Sequence, residues 1–471
     1  MSAHRRLFGT DGIRAPFGAA PLDRATVTAL AAHLAFLLRE RSGPSPPLVV
    51  LGGDTRESTP AICRWLATGL LAGGAAVRNA GVMPTPGVAW LTRELGAAAG
   101  VVVSASHNPY PDNGIKLIDP QGLKWSEADE AALERRLGAS PAPPMATALA
   151  ADADPHVDPA LRESYLRHLA ATVPGERPLD GLNIVLDAGN GAASGYGREL
   201  FERLGARVTL LHADPDGRNV NAGCGSTAPG EMAARVAAEG ADLGAAFDGD
   251  ADRCILADER GQVRDGDAIL YLWATWLHRA GRLHPPRIVA TSMSNLGLER
   301  ALAAEGIGVV RCNVGDRYVV ETMRQEGILL GGEQSGHIVQ SDLASTGDGL
   351  LTAVQMAALR QQAGQPLSAL LAPFRRYPQV LLNVKVAGKV DFKALPVVTA
   401  AARSVEERLG DDGRLVLRYS GTEPLARIMI EGPEQGMIDS LAEELAGVIA
   451  EELGAPLRPP DPSGSHGSPS G

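Results

Sequence analysis

Strand-like and helix-like runs alternate through most of this 471-residue chain, and this alternation limits the possible folds more than any other feature. Short apolar, β-branched runs cover 48–51 and 100–104, with helical spacing between them over 59–71. Strand-like runs return at 182–187 and 243–247, and helices and strands alternate again from residue 268. Such alternation predicts parallel or mixed sheets covered by helices. At roughly 100–200 residues per domain, the length allows about three to five domains.

The last part of the chain has a different pattern. A strand over 380–386, a helix over 395–408, two strands and a final helix over 438–453 predict a smaller βαββα unit. We therefore predict an α/β fold class, with three similar mixed α/β domains and a smaller C-terminal α+β domain around a central cleft. The predicted ranges are 1–155, 156–256, 257–375 and 376–455. A Pro/Ala run from residue 140 reads as a linker, and the Pro/Ser/Gly tail over 456–471 reads as disordered.

Net charge, hydropathy and cysteine spacing limit the kinds of binding partner and the cellular location that the sequence predicts. The formal net charge of −11 argues against a nucleic-acid or anionic-membrane partner, which would require a basic surface. No apolar run reaches transmembrane length, and the N-terminus becomes polar too early for a signal peptide. The four cysteines are far apart and show no metal-binding spacing. These features predict a cytoplasmic protein with reduced thiols and a small-molecule partner.

The loop over 104–117 combines two serines, a histidine and a lysine directly after an apolar strand. A polar turn whose serine caps a helix is the alternative interpretation. Lysine occurs only five times in a chain that otherwise uses arginine, and Lys116 is one of the five. Because lysine can lose its proton and arginine cannot, Lys116 is a candidate acid/base group.

The loop over 248–253 places three carboxylates, Asp248, Asp250 and Asp252, at alternate positions. Small residues between them allow all three to converge on one hard cation. An EF-hand is the rival interpretation, but Arg253 stands where that loop needs glycine and the flanks read as strands. An acidic surface turn is the other alternative. The sequence favours Mg²⁺ completed by a phosphate oxygen.

Two further polar loops follow strands in the later parts of the chain. The run GGEQSGH over 331–337 offers donors and acceptors suited to sugar hydroxyls, although a solvated turn is the default interpretation. The run RYSGTEPLAR over 418–427 brackets Ser, Gly and Thr with two arginines, which suits a phosphate dianion; a plain turn between strands is the alternative. The run GNGAASG over 189–195 misses the dinucleotide spacing and is interpreted as a structural turn.

Together these loops, with FGTDGIR over 8–14 and VGDRYV over 314–319, resemble the α-D-phosphohexomutase superfamily from about residue 7 to 453. Gln334 matches the branch that acts on glucosamine phosphate, whereas the phosphomannomutase/phosphoglucomutase branch has Met there. Ala251 departs from the family, which usually has Gly at this position. A small residue there is expected to be tolerated unless the backbone needs a positive φ.

The resemblance implies a role for each loop. It makes Ser106 the phosphorylated nucleophile, and it makes Asp248, Asp250, Asp252 and a phosphoserine oxygen the Mg²⁺ ligands. Lys116, His337 and Arg253 are implied to assist catalysis, and Glu333 and Ser335 to bind the sugar. The implied phosphate ligands are Arg418, Ser420, Gly421, Thr422 and Arg427.

The resemblance also implies a reaction. It is the interconversion of glucosamine 6-phosphate and glucosamine 1-phosphate through a 1,6-bisphosphate, which feeds UDP-N-acetylglucosamine and cell-wall synthesis. Glucosamine or glucose 1,6-bisphosphate would act as primer. Phosphoglucomutase or phosphomannomutase activity is the nearest alternative, and a Mg²⁺-dependent sugar phosphatase is a more distant one. The oligomeric state stays open, a homodimer included.

Overall fold

A computed structural model describes residues 7–9, 11–43, 45–139, 153–420 and 424–453. The predicted disordered tail and most of the predicted linker lie outside these residues. The chain forms two compact units: Met1–Ser294 with Leu302–Pro373, and Asn295–Ala301 with Phe374–Gly471. None of the helices in the described part of the chain has the length and apolar character needed to cross a membrane.

The first sheet of the larger unit has the strand order β1-β5-β4-β2-β3. Its strands are β1 Ile13–Pro16, β2 Leu48–Gly53, β3 Ala76–Val82, β4 Ala99–Val103 and β5 Asp112–Ile118. Its helices are α1 Arg24–Ser42, α2 Thr59–Ala72, α3 Thr85–Glu94 and α4 Glu127–Ala139. Strand β2 is parallel to β3 and β4, whereas β5 runs antiparallel to β4.

Strand β5 corrects one prediction. The loop predicted over 104–117 ends at residue 111, and Lys116 lies in the strand that follows it. Residues 113–118 are all buried, so this strand is covered on both faces and shows no alternation of apolar and polar residues. Its buried polar side chains, Asn113 and Lys116, bond to residues far away in the chain, and this concealed the strand in the sequence.

The second sheet has the order β10-β9-β8-β6-β7. Its strands are β6 Asn183–Asp187, β7 Arg207–Leu211, β8 Leu243–Phe247, β9 Cys254–Asp258 and β10 Val263–Arg264, and the accompanying helices are α5 Pro159–Ala171, α6 Gly197–Arg203 and α7 Gly230–Glu239. The boundary predicted after residue 256 falls inside β9, because the antiparallel pairing of β9 with β10 carries this sheet on to Arg264.

The third sheet has the order β12-β11-β13-β14. Its strands are β11 Arg287–Thr291, β12 Gly308–Cys312, β13 Leu330–Gly332 and β14 Ile338–Gln340. Helices in this part of the chain are α8 Gly266–Arg279, α9 Leu296–Ala304, α10 Asp316–Glu326, α11 Gly349–Ala363 and α12 Leu367–Leu370. Strand β11 is parallel to β12 and β13, and β14 returns antiparallel to β13.

The smaller unit contains a three-stranded antiparallel sheet of order β15-β17-β16. It is built from β15 Gln379–Lys385, α13 Pro396–Leu409, β16 Arg414–Tyr419, β17 Leu425–Glu431 and α14 Gln435–Leu453. Val384, Ile428 and Leu445 are fully buried in its core. The predicted βαββα unit and the predicted fold class are confirmed.

Candidate active site

Ser106 lies in the loop that follows β4 and is almost completely buried. Its backbone has a φ of 52°, in the left-handed region that non-glycine residues rarely adopt. The hydroxyl donates a hydrogen bond of 2.6 Å to Oδ2 of Asp248, and Nδ1 of His107 lies 3.3 Å from the same Oγ. The structure therefore brings the predicted nucleophile to the predicted metal loop, across 142 residues of sequence.

A buried ion pair holds the loop over 104–111, called the serine loop here, in place. Arg56 donates from Nε to Asp54 at 2.8 Å and from Nη2 to the carbonyl oxygens of Ser106 and Asn108 at 2.9 and 2.8 Å. Asp54 also accepts from the hydroxyl of Ser104, which in turn accepts from the backbone N–H of Ser106. Burial raises the pKa of Asp54, although Arg56 opposes this. Sequence reasoning missed this pair, because nothing around residue 56 distinguishes it from a surface arginine.

The three carboxylates of the second loop converge between β8 and β9. Asp248, Asp250 and Asp252 are buried, and one potential ligand atom from each lies within 4.8 Å of the others. Oδ1 of Asp250 and Oδ1 of Asp252 are shielded from solvent and accept no hydrogen bond from the described residues. Burial raises the pKa of Asp248 well above its usual range, and the charges of Asp252 and Asp250 raise it further. Crowded buried carboxylates with free oxygens fit a hard divalent cation.

Lys116 faces the same carboxylates from β5. Its Nζ lies 2.8 Å from Oδ2 of Asp250, 3.6 Å from Asp252 and 3.3 Å from Asp11. Burial disfavours the ammonium, but these three carboxylates outweigh burial and raise the pKa of Lys116 well above its usual value. Lys116 therefore carries its proton in this arrangement.

His337 and Arg253 border the carboxylates on the other side. Nδ1 of His337 lies 3.7 Å from Asp252, and the N–H of Gly347 donates to its Nε2 at 3.1 Å. Burial opposes the charged imidazole, but contact with Asp252 raises the pKa of His337 overall. The Gly347 contact works against a proton on Nε2 and favours the proton on Nδ1, towards Asp252. Arg253 donates its backbone N–H to Asp248 at 3.2 Å.

The predicted sugar-binding run over 331–337, called the sugar loop here, includes the connection between β13 and β14 and borders a cavity that also reaches Ser106. Glu333 is buried, and its Oε1 accepts from the N–H of Gly315 at 3.0 Å. Ser335 is exposed, with its hydroxyl 3.5 Å from the other oxygen of Glu333. The cavity measures about 490 Å³, and its lining includes Ser106, Asp252, Arg253, Glu333 and His337. Three of the four predicted loops thus meet within the larger unit.

An ion-pair chain missed by the sequence analysis borders this cavity. Lys124 pairs with both Asp11 and Asp316, and Asp11 also pairs with Arg14. Burial would raise the pKa of Asp11, but Lys116 and Lys124 hold it far below its usual range. Asp11 and Asp316 lie in the segments FGTDGIR and VGDRYV, which carry the family resemblance. The sequence therefore marks both segments but does not predict that these two carboxylates pair with Lys124.

The phosphate loop belongs to the smaller unit. Arg418 and Arg427 are direct cross-strand partners on β16 and β17. Nη2 of Arg427 donates to Oγ of Ser420 at 3.3 Å, and Lys389 donates to the carbonyl oxygen of Ser420 at 2.6 Å. Gly421 and Thr422 lie outside the described residues. The arrangement places cationic side chains around the start of the predicted phosphate loop.

Comparison with known proteins defines the class. Four family models described as phosphoglucomutase/phosphomannomutase match in chain order: α/β/α domain I over 5–142, domain II over 163–261, domain III over 265–377 and the C-terminal domain over 381–448. The solved structure of a phosphoglucomutase/phosphomannomutase family protein from Burkholderia thailandensis aligns with a TM-score of 0.76 at 24% identity, covering 96% of this chain and 99% of that one. The fold is that of a phosphohexomutase, and the chain belongs to the phosphoglucomutase/phosphomannomutase family.

Two further relatives carry more specific names. A phosphoglucosamine mutase from Solibacter usitatus is 44% identical over 95% of this chain and 99% of its own length. The N-acetylphosphoglucosamine mutase of Aspergillus fumigatus, solved in complex with GlcNAc-6P and magnesium, has a TM-score of 0.61 at 19% identity, covering 95% of this chain and 96% of that one. The chain is thus an intramolecular phosphotransferase of the isomerase class.

Proposed function

We propose that this enzyme interconverts glucosamine 6-phosphate and glucosamine 1-phosphate through a phosphoserine at Ser106 and a 1,6-bisphosphate intermediate. The observation that carries the proposal is the hydrogen bond from Ser106 Oγ to Asp248, which places a hydroxyl at a cluster of three buried carboxylates. The name of the 44% identical relative and Gln334 in the sugar loop support glucosamine over glucose or mannose.

Asp248, Asp250 and Asp252, with one phosphoserine oxygen, would hold Mg²⁺ in this proposal. The fit rests on the free oxygens of Asp250 and Asp252. Bound Mg²⁺ would withdraw negative charge from the phosphoryl group during transfer. Arg253 would add positive charge beside the same group.

In the forward half-reaction, the bond from phosphorus to Ser106 Oγ breaks and a bond to the sugar 1-hydroxyl oxygen forms. The proton of that hydroxyl must leave, and Lys116 and His337 are the proposed acid/base groups. Lys116 holds its proton and suits the acid role. His337 can act as the base only when its Nε2 lone pair is released from the N–H of Gly347. After the bisphosphate turns over, the same steps run in reverse with the other phosphate. A primer of glucosamine or glucose 1,6-bisphosphate would restore phosphoserine when it is lost.

Glu333 and Ser335 are proposed to bind sugar hydroxyls. Arg418, Ser420, Gly421, Thr422 and Arg427 are proposed to bind the phosphate that is not transferred. The paired Arg418 and Arg427 support this, because two guanidinium groups suit a phosphate dianion. A site that binds this phosphate in either orientation of the bisphosphate would serve both half-reactions.

The test is a coupled assay with glucosamine, glucose and mannose phosphates, with and without bisphosphate primer, that also measures free phosphate. We expect primer-dependent isomerisation, fastest with glucosamine phosphate, and little phosphate release. Ser106→Ala should lower the rate by at least about 10³-fold and lose the phosphopeptide seen by mass spectrometry, since the nucleophile is gone. Ser341→Ala, at an exposed serine, is the control. Normal turnover by Ser106→Ala would refute the mechanism, and phosphate release without isomerisation would indicate a phosphatase.

A further inference from the structure

Asp187, His212 and Cys224 come together at the ends of β6 and β7, and none of them takes part in the site described above. One potential ligand atom from each lies within 4.8 Å of the other two. Asp187 and Cys224 are fully buried, whereas the side chain of His212 is 24% exposed. The spacing of the cysteines does not indicate this cluster, because it contains a single cysteine. Its three residues are spread over positions 187 to 224 and become neighbours only in the fold.

The orientation of His212 is the most informative feature of this cluster. Its Nε2 lies 3.3 Å from Oε2 of Glu231, and its Nδ1 lies 3.1 Å from Oδ1 of Asp187. Within the described part of the chain, Nδ1 makes no hydrogen bond of acceptable geometry, although it is shielded from solvent. If Nε2 carries the proton towards Glu231, the lone pair of Nδ1 faces a carboxylate oxygen. Two opposed lone pairs at this distance repel each other unless a cation lies between them.

The backbone conformation of His212 and the position of the Glu231 carboxylate are both typical of a protein metal site. His212 has a φ of 45°, a left-handed conformation that costs energy for a non-glycine residue and that concentrates at functional positions. Metal-bound histidines commonly donate their second ring N–H to a carboxylate, which is the position of Glu231. The carboxylate of Asp187 is held in place by the N–H groups of Gly189 and Gly225, each at 2.9 Å.

We propose that Asp187, His212 and Cys224 form a second metal site for a Zn²⁺-class ion, with Glu231 orienting the imidazole. A carboxylate and a thiolate neutralise a divalent ion, and thiolate with imidazole selects Zn²⁺ or Co²⁺ over Mg²⁺. Three protein ligands leave a fourth tetrahedral position for water. Burial raises the pKa of the Cys224 thiol to about 11, so the ion binds with release of that thiol proton to solvent.

Hydrogen bonds connect this site to the serine loop and to the loop of Asp248, Asp250 and Asp252. The N–H of Asn190 donates to the carbonyl of His212 at 2.6 Å, and the N–H of Ala192 donates to the carbonyl of Gly249 at 2.8 Å. From the loop between His212 and Cys224, the side-chain amide Nδ2 of Asn221 donates to the carbonyl of Ser106 at 2.9 Å. An ion at Asp187, His212 and Cys224 therefore fixes the segment that supports the serine loop and the carboxylate loop over 248–253.

The test is a titration of the metal-free full-length protein with Co²⁺, because a cobalt–thiolate bond gives a charge-transfer absorption in the near ultraviolet. We expect this band in the wild type and in Asp250→Asn, whose altered carboxylate belongs to the other cluster. The band should disappear in Cys224→Ser and remain in Cys312→Ser, a control at a half-buried cysteine outside the cluster. The band should also strengthen as the pH rises, since binding releases a proton.

His212→Asn guards against a folding defect in Cys224→Ser. Asparagine tolerates left-handed backbone, so this variant should keep the wild-type circular dichroism while binding Co²⁺ at least about 10-fold more weakly. Absence of a thiolate band in the wild type would overturn the proposal, as would a band unchanged in both Cys224→Ser and His212→Asn. His212 would then only contact Asp187 and Glu231, with no metal bound.

Discussion

At the residue scale, the geometry of the serine loop depends on Arg56. Its guanidinium is fully buried and supplies hydrogen bonds to Asp54 and to the carbonyl oxygens of Ser106, Asn108, Pro109 and Asp112. A planar group with five donors can satisfy this many acceptors at once, and no other side chain can. The left-handed conformation of Ser106 persists because its surroundings fix it in this way.

We expect Arg56→Met to destabilise the protein by about 3–5 kcal/mol, because it leaves Asp54 buried without its partner. The mutase rate should fall as well, since the serine loop loses its support. Arg78→Met is the matched control, because Arg78 pairs with Asp158 at the surface, where loss of a pair costs about 1 kcal/mol or less. Thermal unfolding followed by circular dichroism gives the comparison. Equal losses in the two variants would contradict the scaffold role of Arg56.

Ala251 gives a second test at this scale. Alanine in place of the family's glycine is expected to be tolerated unless the backbone needs a positive φ, and the structure shows a φ of 54° at Ala251. Left-handed backbone costs a non-glycine residue roughly 1–2 kcal/mol. Ala251→Gly should therefore lose less stability than Ala245→Gly, a fully buried alanine in β8, by about that amount. Equal unfolding midpoints for the two variants would show that Ala251 is not strained.

At the element scale, Asp348 caps α11 and ties it to α5. One carboxylate oxygen accepts from the N–H of Leu351 at 2.9 Å, and the other accepts from the hydroxyl of Tyr165 at 2.7 Å. Burial raises the pKa of Asp348 to about 6 from an ordinary value of 3.8, and these hydrogen bonds oppose the shift only in part. Ionised Asp348 is thus less favourable in the folded chain than in the unfolded chain.

This shift gives a signed dependence on pH. Below about pH 4 the carboxyl group is protonated in both states and has no effect; above about pH 6 it is ionised in both, and the folded state is disfavoured by up to about 3 kcal/mol. Asp348→Asn removes the charge, keeps an oxygen for the N–H of Leu351, and can donate its amide N–H to the hydroxyl oxygen of Tyr165 in a reversed hydrogen bond. Its unfolding midpoint should therefore exceed that of the wild type above pH 6 and match it near pH 4. Asp158 caps α5, and its hydrogen bond with Arg78 lowers the pKa of its carboxyl group. Asp158→Asn should therefore lose stability at neutral pH. A difference between Asp348→Asn and wild type that does not change with pH would refute the shift.

Most helices and strands could be predicted because their apolar periodicity is local. Strand β8 and α9 match their predicted ranges, and α2 differs by one residue. Strand β5 was missed, because burial on both faces removed its alternation of apolar and polar residues. The same local signals indicated the serine and carboxylate loops. Arg56, Thr85 and Lys124 could not be found this way, since their roles arise from contacts with residues far away in the chain.

At the scale of the whole molecule, the carboxylate loop joins three parts of the larger unit. Thr85 donates from its hydroxyl to Asp250 at 2.5 Å, and Ser106 donates to Asp248, which links this loop to the first sheet. The N–H of Gly349 donates to the carbonyl of Ala251 at 3.0 Å, which links it to α11. A ligand that neutralises the carboxylates therefore stabilises contacts made by all three sheet-containing regions.

Mg²⁺ should accordingly raise the unfolding midpoint of the metal-free protein, because the ligand set exists only in the folded chain. Binding at about 100 times the dissociation constant contributes roughly 2.7 kcal/mol. Asp250→Asn should abolish the Mg²⁺-dependent shift, since Oδ1 of Asp250 is one of the free oxygens. Asp342→Asn, at an exposed carboxylate, should keep the shift and serves as the control. Activity should vanish in EDTA and return with Mg²⁺, and an undiminished shift in Asp250→Asn would place the ion elsewhere.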